Sequence, residues 1–96
     1  MSKINIILDV YETHSISKTA GRLKYTQSAV SQAIRNYEKE IGVTLFKRSK
    51  TGMSPLTGTD SIFEELKKIR ASENHIEKIA ANINGLESGL IRIGTI

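Results

Sequence analysis

The sequence predicts a mainly α-helical chain: three short helices, a small two-stranded hairpin, then one long helix. Three observations predict it. Apolar residues recur at helical spacing three times before Gly42. A polar, turn-rich stretch containing Ser49, Lys50, Thr51 and Gly52 then separates two short extended-type segments. Beyond Thr57, isoleucine returns every seven residues, at Ile62, Ile69, Ile76 and Ile83.

Each element follows from its own residues. Ile4, Ile7, Leu8 and Tyr11 fall at i, i+3, i+4 and i+7, one face of a helix over residues 3–13. Ser17 is expected to cap a shorter second helix that turns Ala20 and Leu23 inward. Lys24 and Tyr25 make a tight connection, and Thr26 caps a third helix reaching Ile41. Its inward face is expected to be Val30, Ile34, Tyr37 and Ile41, with Gly42 as the residue that ends it. Val43, Leu45 and Phe46 begin one strand and Met53 to Leu56 the other, with Pro55 acceptable only at a sheet edge. Thr57 and Asp60 form a capping-box-like pair that opens the last helix. Ile62, Leu66, Ile69, Ile76, Ile79 and Ile83 make its apolar stripe. Over residues 59–86 such a helix is about 42 Å long. That is too long to fold wholly onto so small a head, so its stripe calls for a partner helix, most simply a second copy. Gly85, Ser88 and Gly89 are read as a break, and residues 90–96 as a strand with no neighbour. Three units are therefore expected: a head over 1–57, a dimerisation helix over 58–87, and over 88–96 the first strand of a further domain.

Composition narrows the function. The chain has 96 residues, a net charge of +4 and no cysteine, which excludes disulfides, thiolate chemistry and cysteine zinc sites. Asn5 and Asp9 break the early apolar stretch, and no run approaches a membrane span, so the expected compartment is the cytoplasm with no membrane partner. His14 and His75 are isolated, and neither a catalytic constellation nor a glycine-rich phosphate loop is legible. Neither an enzyme nor a cofactor is expected. Charge is uneven: residues 15–56 carry eight Lys and Arg against Glu38 and Glu40, whereas 57–96 carry five against six acids. A basic head on a balanced arm suits a polyanion.

The second and third helices, joined by a short turn, form a helix-turn-helix, and with the hairpin as wing the head is a winged helix-turn-helix. On the third helix Gln27, Ser28, Ser31, Gln32 and Arg35 face outward near the N-terminal end. Such side chains can read base edges in the major groove, where the start of this helix enters. Simpler roles stand beside these. Arg35 could pair with Glu38, Thr26 could act only as a cap, Lys18 and Lys50 could be merely solvated, and Arg48 could be structural. A protein-interaction module is the alternative function.

Three segments carry a resemblance: Ser15 to Leu23, Thr26 to Glu38, and Ile41 to Arg48. Together they are similar to the N-terminal domain of LysR-type transcriptional regulators, and the likeness runs on through Leu56-Thr57 into the long helix. It implies a winged helix-turn-helix that binds double-stranded DNA at an inverted repeat, as a homodimer through antiparallel linker helices. It also implies dimers pairing into tetramers in the full-length protein, and a small-molecule effector bound by a C-terminal domain outside this chain. By position, Gln27, Ser31 and Gln32 would reach base edges, with Ser28 and Arg35 on bases or phosphate beside them. Ser17, Lys18 and Thr26 would hold phosphates, Lys50 would probe the minor groove, and Arg48 would contact phosphate or serve structure. Three departures stand out. Ser28 replaces a frequent proline, Gln32 a frequent arginine, and Thr59-Asp60 the small residues usual after the wing. Glutamine at position 32 shifts the expected readout from guanine toward adenine.

Overall fold

The computed structural model describes the backbone of residues 3–90 and the side chains of residues 3–85. The elements run α1 (Lys3–Thr13), α2 (Ile16–Leu23), α3 (Gln27–Ile41), β1 (Phe46–Ser49), β2 (Gly52–Pro55) and α4 (Asp60–Leu90). The predicted order of three helices, hairpin and long helix is present.

α1 is the centre of the head. Five successive residues, Ile6 to Val10, are buried, because α2, α3, β2 and α4 all pack against it. The single stripe expected from spacing is too narrow: Ile4 and Tyr11 lie at its margin, and Ile6, Asp9 and Val10 join the interior. Buried Asp9 is held by Arg22 of α2, whose Nε donates to both carboxylate oxygens at 3.0 and 3.3 Å.

α2 starts earlier than expected. Ser15, not Ser17, is its cap: extended at φ −148°, it accepts the Lys18 N–H at 3.1 Å. The chain turns at His14 (φ 60°), which leaves the Ser15 hydroxyl facing the free amides of the first turn. Ser17 already lies within the helix, its hydroxyl 3.1 Å from that of Ser15. Lys24 ends α2 in the left-handed region. Thr26 caps α3 as expected, accepting the Ala29 N–H at 3.0 Å, and Gly42 ends it at φ 74°. Val30 and Ile34 are fully buried and Tyr37 half-buried, but Ile41 is exposed, contrary to its expected inward place. Val30 and Ile34 lie in the core, whereas on the last turn Glu40 reaches Lys3 of α1 at 3.1 Å and Ile41 stays 36% exposed.

The wing is a two-residue-turn hairpin in the register Phe46↔Pro55, Lys47↔Ser54, Arg48↔Met53, Ser49↔Gly52. Val43 and Leu45 precede the strand rather than belong to it; Leu45 is fully buried and Val43 exposed. Two anchors fix the hairpin. Glu38 Oε2 accepts the Leu45 N–H at 2.7 Å and the Phe46 N–H at 3.3 Å, which ties the entry to α3. The Met53 N–H donates to the His14 carbonyl at 2.9 Å, which ties the return strand to the α1–α2 corner. Gly52 sits against that same carbonyl at φ 134°, where a Cβ would collide with it.

α4 begins after Thr59, not through a Thr57–Asp60 box. The Thr59 carbonyl accepts the first helical amides, and its buried hydroxyl donates to the Leu56 carbonyl at 2.7 Å. A threonine therefore fits where smaller residues are usual, because its hydroxyl has a partner. Phe63 and Leu66 project from the first turns into the core, Phe63 stacking on Tyr11 at 4.2 Å and meeting Phe46 edge-on at 5.5 Å. Leu66 is thus part of the head rather than a surface for a partner, and Ile62 is partly covered by the same cluster. Further out, Arg70 pairs with Glu12 at 3.0 Å, and the Lys67 ammonium lies over the Tyr11 ring. The helix runs through Leu90, so residues 88–90 are helical rather than strand. Gly85 and Gly89 cost the helix only about 1 kcal/mol each, and helical backbone satisfies itself without a neighbouring strand. The strand expected over 91–96 lies outside the described residues.

Candidate nucleic-acid interface

The outward face of α3 is set by what lies beneath it. Val30 and Ile34 point into the core, so Gln27, Ser28, Gln32 and Arg35 are exposed and Ser31 is half-exposed. These five residues and Ile16 line one shallow hollow. A second hollow adjoins it, lined by Ile16 and Gln27 together with Ser17 of α2 and the wing residues Arg48 and Lys50. The anchoring of Met53 and Gly52 to His14 places the wing beside the start of α3. Eight of the ten residues expected to touch nucleic acid therefore share one continuous face. Lys18 and Thr26 line neither hollow. Lys18 is exposed on α2, and the Thr26 oxygen is engaged as the α3 cap.

Sequence reasoning missed Ile16, which borders both hollows. It stands four residues before Ala20, on the stripe that reads as core, and it does partly pack there. Its remaining surface is an apolar point within a polar face, the kind of group that meets a thymine methyl. Ser15, Ser49 and Thr51 also line the second hollow, and the last two cross-link the wing turn through hydroxyls 2.9 Å apart.

The charges of this face are not drawn inward. Ion pairs of the described residues engage Lys3, Arg22, Lys67, Lys68 and Arg70, and none of these pairs includes Lys18, Arg35, Arg48 or Lys50. Glu38 turns to the amides of Leu45 and Phe46, so it is not the partner of Arg35. Arg22 is different. The hydrogen bond to Asp9, and then the charge of that carboxylate, raise its pKa above the ordinary value, and the pair ties this exposed guanidinium to the buried carboxylate. Gln32 donates from Nε2 to Asn36 Oδ1 at 2.9 Å, one turn further along α3.

Beyond its first turns α4 carries an uncovered stripe: Ile69, Ile76, Ile79 and Ile83 are 41, 64, 46 and 52% exposed. Among the described residues no cluster of His, Asp or Glu could hold a metal ion, and no helix is long and apolar enough to cross a membrane.

Comparison with known proteins agrees with this architecture. The chain belongs to the LysR family of bacterial regulatory helix-turn-helix proteins, whose family model matches residues 1–58. It is 31% identical over 81 residues to the regulatory protein NocR of Agrobacterium tumefaciens, covering 84% of this chain and 27% of that one. To the uncharacterized HTH-type transcriptional regulator YvbU of Bacillus subtilis it is 33% identical over 96 residues, covering 99% of this chain and 33% of the relative. The chain thus spans about a third of the length of these relatives. Among solved structures, the BenM_DBD/catB site 1 DNA complex superposes with a TM-score of 0.77 at 21% identity, over 88% of this chain and 97% of that one. At that identity the likeness is one of fold: a winged helix-turn-helix with a long C-terminal helix.

Proposed function

We propose that this chain is the sequence-specific DNA-binding part of a LysR-type transcriptional regulator. In this reading it grips an inverted-repeat promoter site as a homodimer. The observation that carries it is the continuous face made by the start of α3, the start of α2 and the wing, with its cations outside the head's own ion pairs. α3 lies in the major groove, where Gln27, Ser31 and Gln32 meet base edges and Ser28 and Arg35 flank them. The free amides at the α3 start add a partial positive charge toward phosphate. Ser17, Lys18, Thr26 and Arg48 contact the phosphate backbone, and Lys50 at the wing tip reaches the minor groove. Two chains pair along Ile69, Ile76, Ile79 and Ile83, the part of the stripe that the head does not cover. Sensing of a small-molecule effector and pairing of dimers into tetramers rest on family membership alone and concern the whole regulator, which acts in the cytoplasm.

The test is selection of bound duplexes from a random pool, followed by affinity measured against salt. A dimer engaging about eight phosphates gives a log–log slope near −7. Alanine at Gln27, Ser31 and Gln32 together removes the preference for selected over scrambled duplex while leaving salt-sensitive binding in place. Equal affinity of the unaltered chain for every duplex at matched salt refutes the proposal.

A further inference from the structure

Asn36 lies outside the residues so far given to the interface, yet it hydrogen-bonds one of the base-facing residues of α3. Its Oδ1 accepts from Gln32 Nε2 at 2.9 Å, across one helical turn, and both residues are exposed. A glutamine on an open helix face has three rotatable side-chain bonds and an amide that can present either end outward. The bond to Asn36 removes much of that freedom. An amide has one acceptor oxygen and two N–H donors, and the bond uses one donor. One N–H and Oε1 of Gln32 stay free. That donor–acceptor pair complements adenine, which offers N7 as acceptor and its N6 amine as donor in the major groove. With Asn36 Oδ1 facing it, turning the Gln32 amide alone would set two acceptors against each other, so the two amides can only reverse together. Glu38 does not compete for this pair, since its carboxylate is occupied by the Leu45 and Phe46 amides.

We infer that Asn36 is a positioning residue for sequence recognition: it holds the Gln32 amide with an acceptor and a donor aimed at the duplex, and so selects adenine at the position Gln32 reads. This rests on the proposed reading of α3 as the base-reading helix. Asn36 adds no charge, so its contribution lies in discrimination and not in general attraction to phosphate.

The experiment compares the 96-residue chain with Gln32→Ala, Asn36→Leu and Asn36→Asp by selection from random duplex DNA and by affinity at several salt concentrations. Gln32→Ala identifies the position that Gln32 reads. Asn36→Leu reduces the adenine preference there by about fivefold or more, the low end of what a bidentate amide–adenine pair provides, with the salt slope unchanged. Asn36→Asp keeps the acceptor for Gln32 Nε2, so the preference survives while its negative charge weakens binding to all duplexes alike. If Gln32→Ala erases a preference that Asn36→Leu leaves intact, the role of Asn36 is overturned and the reading of α3 stands. A preference lost equally in Asn36→Leu and Asn36→Asp also overturns it, because the retained acceptor then has no effect. If Gln32→Ala changes no base preference, Gln32 is no base reader and both ideas fail at this position.

Discussion

Leu66 and Ile76 stand on the same stripe of α4, yet the first is buried and the second exposed, so under the proposed pairing, truncating each to alanine separates head stability from association. Ile76 is 64% exposed in the single chain. Full burial of an isoleucine side chain is worth about 1.5–3 kcal/mol, so covering what Ile76 exposes contributes about 1–2 kcal/mol per chain. A symmetric pair contains the residue twice, which makes about 2–4 kcal/mol for the interface. Alanine keeps the β-carbon, so Ile76→Ala weakens the dimer by roughly tenfold to a few hundredfold. Leu66 is 2% exposed, inside the cluster with Phe63 and Val10. Leu66→Ala leaves a cavity in the head and lowers its stability by about 2–5 kcal/mol. Sedimentation equilibrium reads the first effect. Urea unfolding at several chain concentrations reads the second, because only dimer-linked stability depends on concentration. An Ile76→Ala chain that associates within about twofold of the original, beside a Leu66→Ala chain that keeps its head stability but loses association, would refute this division of the helix.

Other substitutions probe the anchors of the interface. Gly52→Ala forces a Cβ against the His14 carbonyl at a φ that side chains rarely adopt; the expected loss is at least about 1–3 kcal/mol in urea unfolding, with weakened DNA binding as the wing is displaced. Glu38→Ala strips the acceptor from two amides at the buried Leu45 and Phe46 and costs about 1–3 kcal/mol. Arg35→Ala changes stability by no more than about 0.5 kcal/mol, and equal losses at both positions would restore an Arg35–Glu38 pair. Arg22→Met leaves the carboxylate of buried Asp9 without its cation, so its urea midpoint falls further than that of Lys3→Met, which breaks only the exposed pair with Glu40.

The order of elements was legible in the sequence because it rests on local periodicity and punctuation. Val30 and Ile34 four apart, Thr26 before them and Gly42 after them state a helix, its inner face and both ends. The outward set from Gln27 to Arg35 follows by subtraction, and the structure keeps it on one surface. Spacing could not say how far each inner face is covered, since burial depends on which neighbours arrive from elsewhere in the chain. So Ile41 ends α3 in solvent and Ile6 joins the core. Capping was ambiguous wherever hydroxyls lay two residues apart. Ser15 against Ser17 and Thr59 against Thr57 were decided by the turns at His14 and Gly58, where φ is 60° and 90°.

Hydrophobic pattern and composition by themselves determined that this chain makes a small basic winged head with a long apolar-striped helix behind it. Only the tertiary structure decided where along that stripe the head stops and free surface begins. The repeat is uniform from Ile62 to Ile83, but α1 covers only the first turns, drawing Phe63 and Leu66 inward and leaving Ile76 bare. The tertiary structure also decided that the wing stands beside α3, through a glycine and an amide fitted to one carbonyl at His14, a contact 38 residues away that no local signal records.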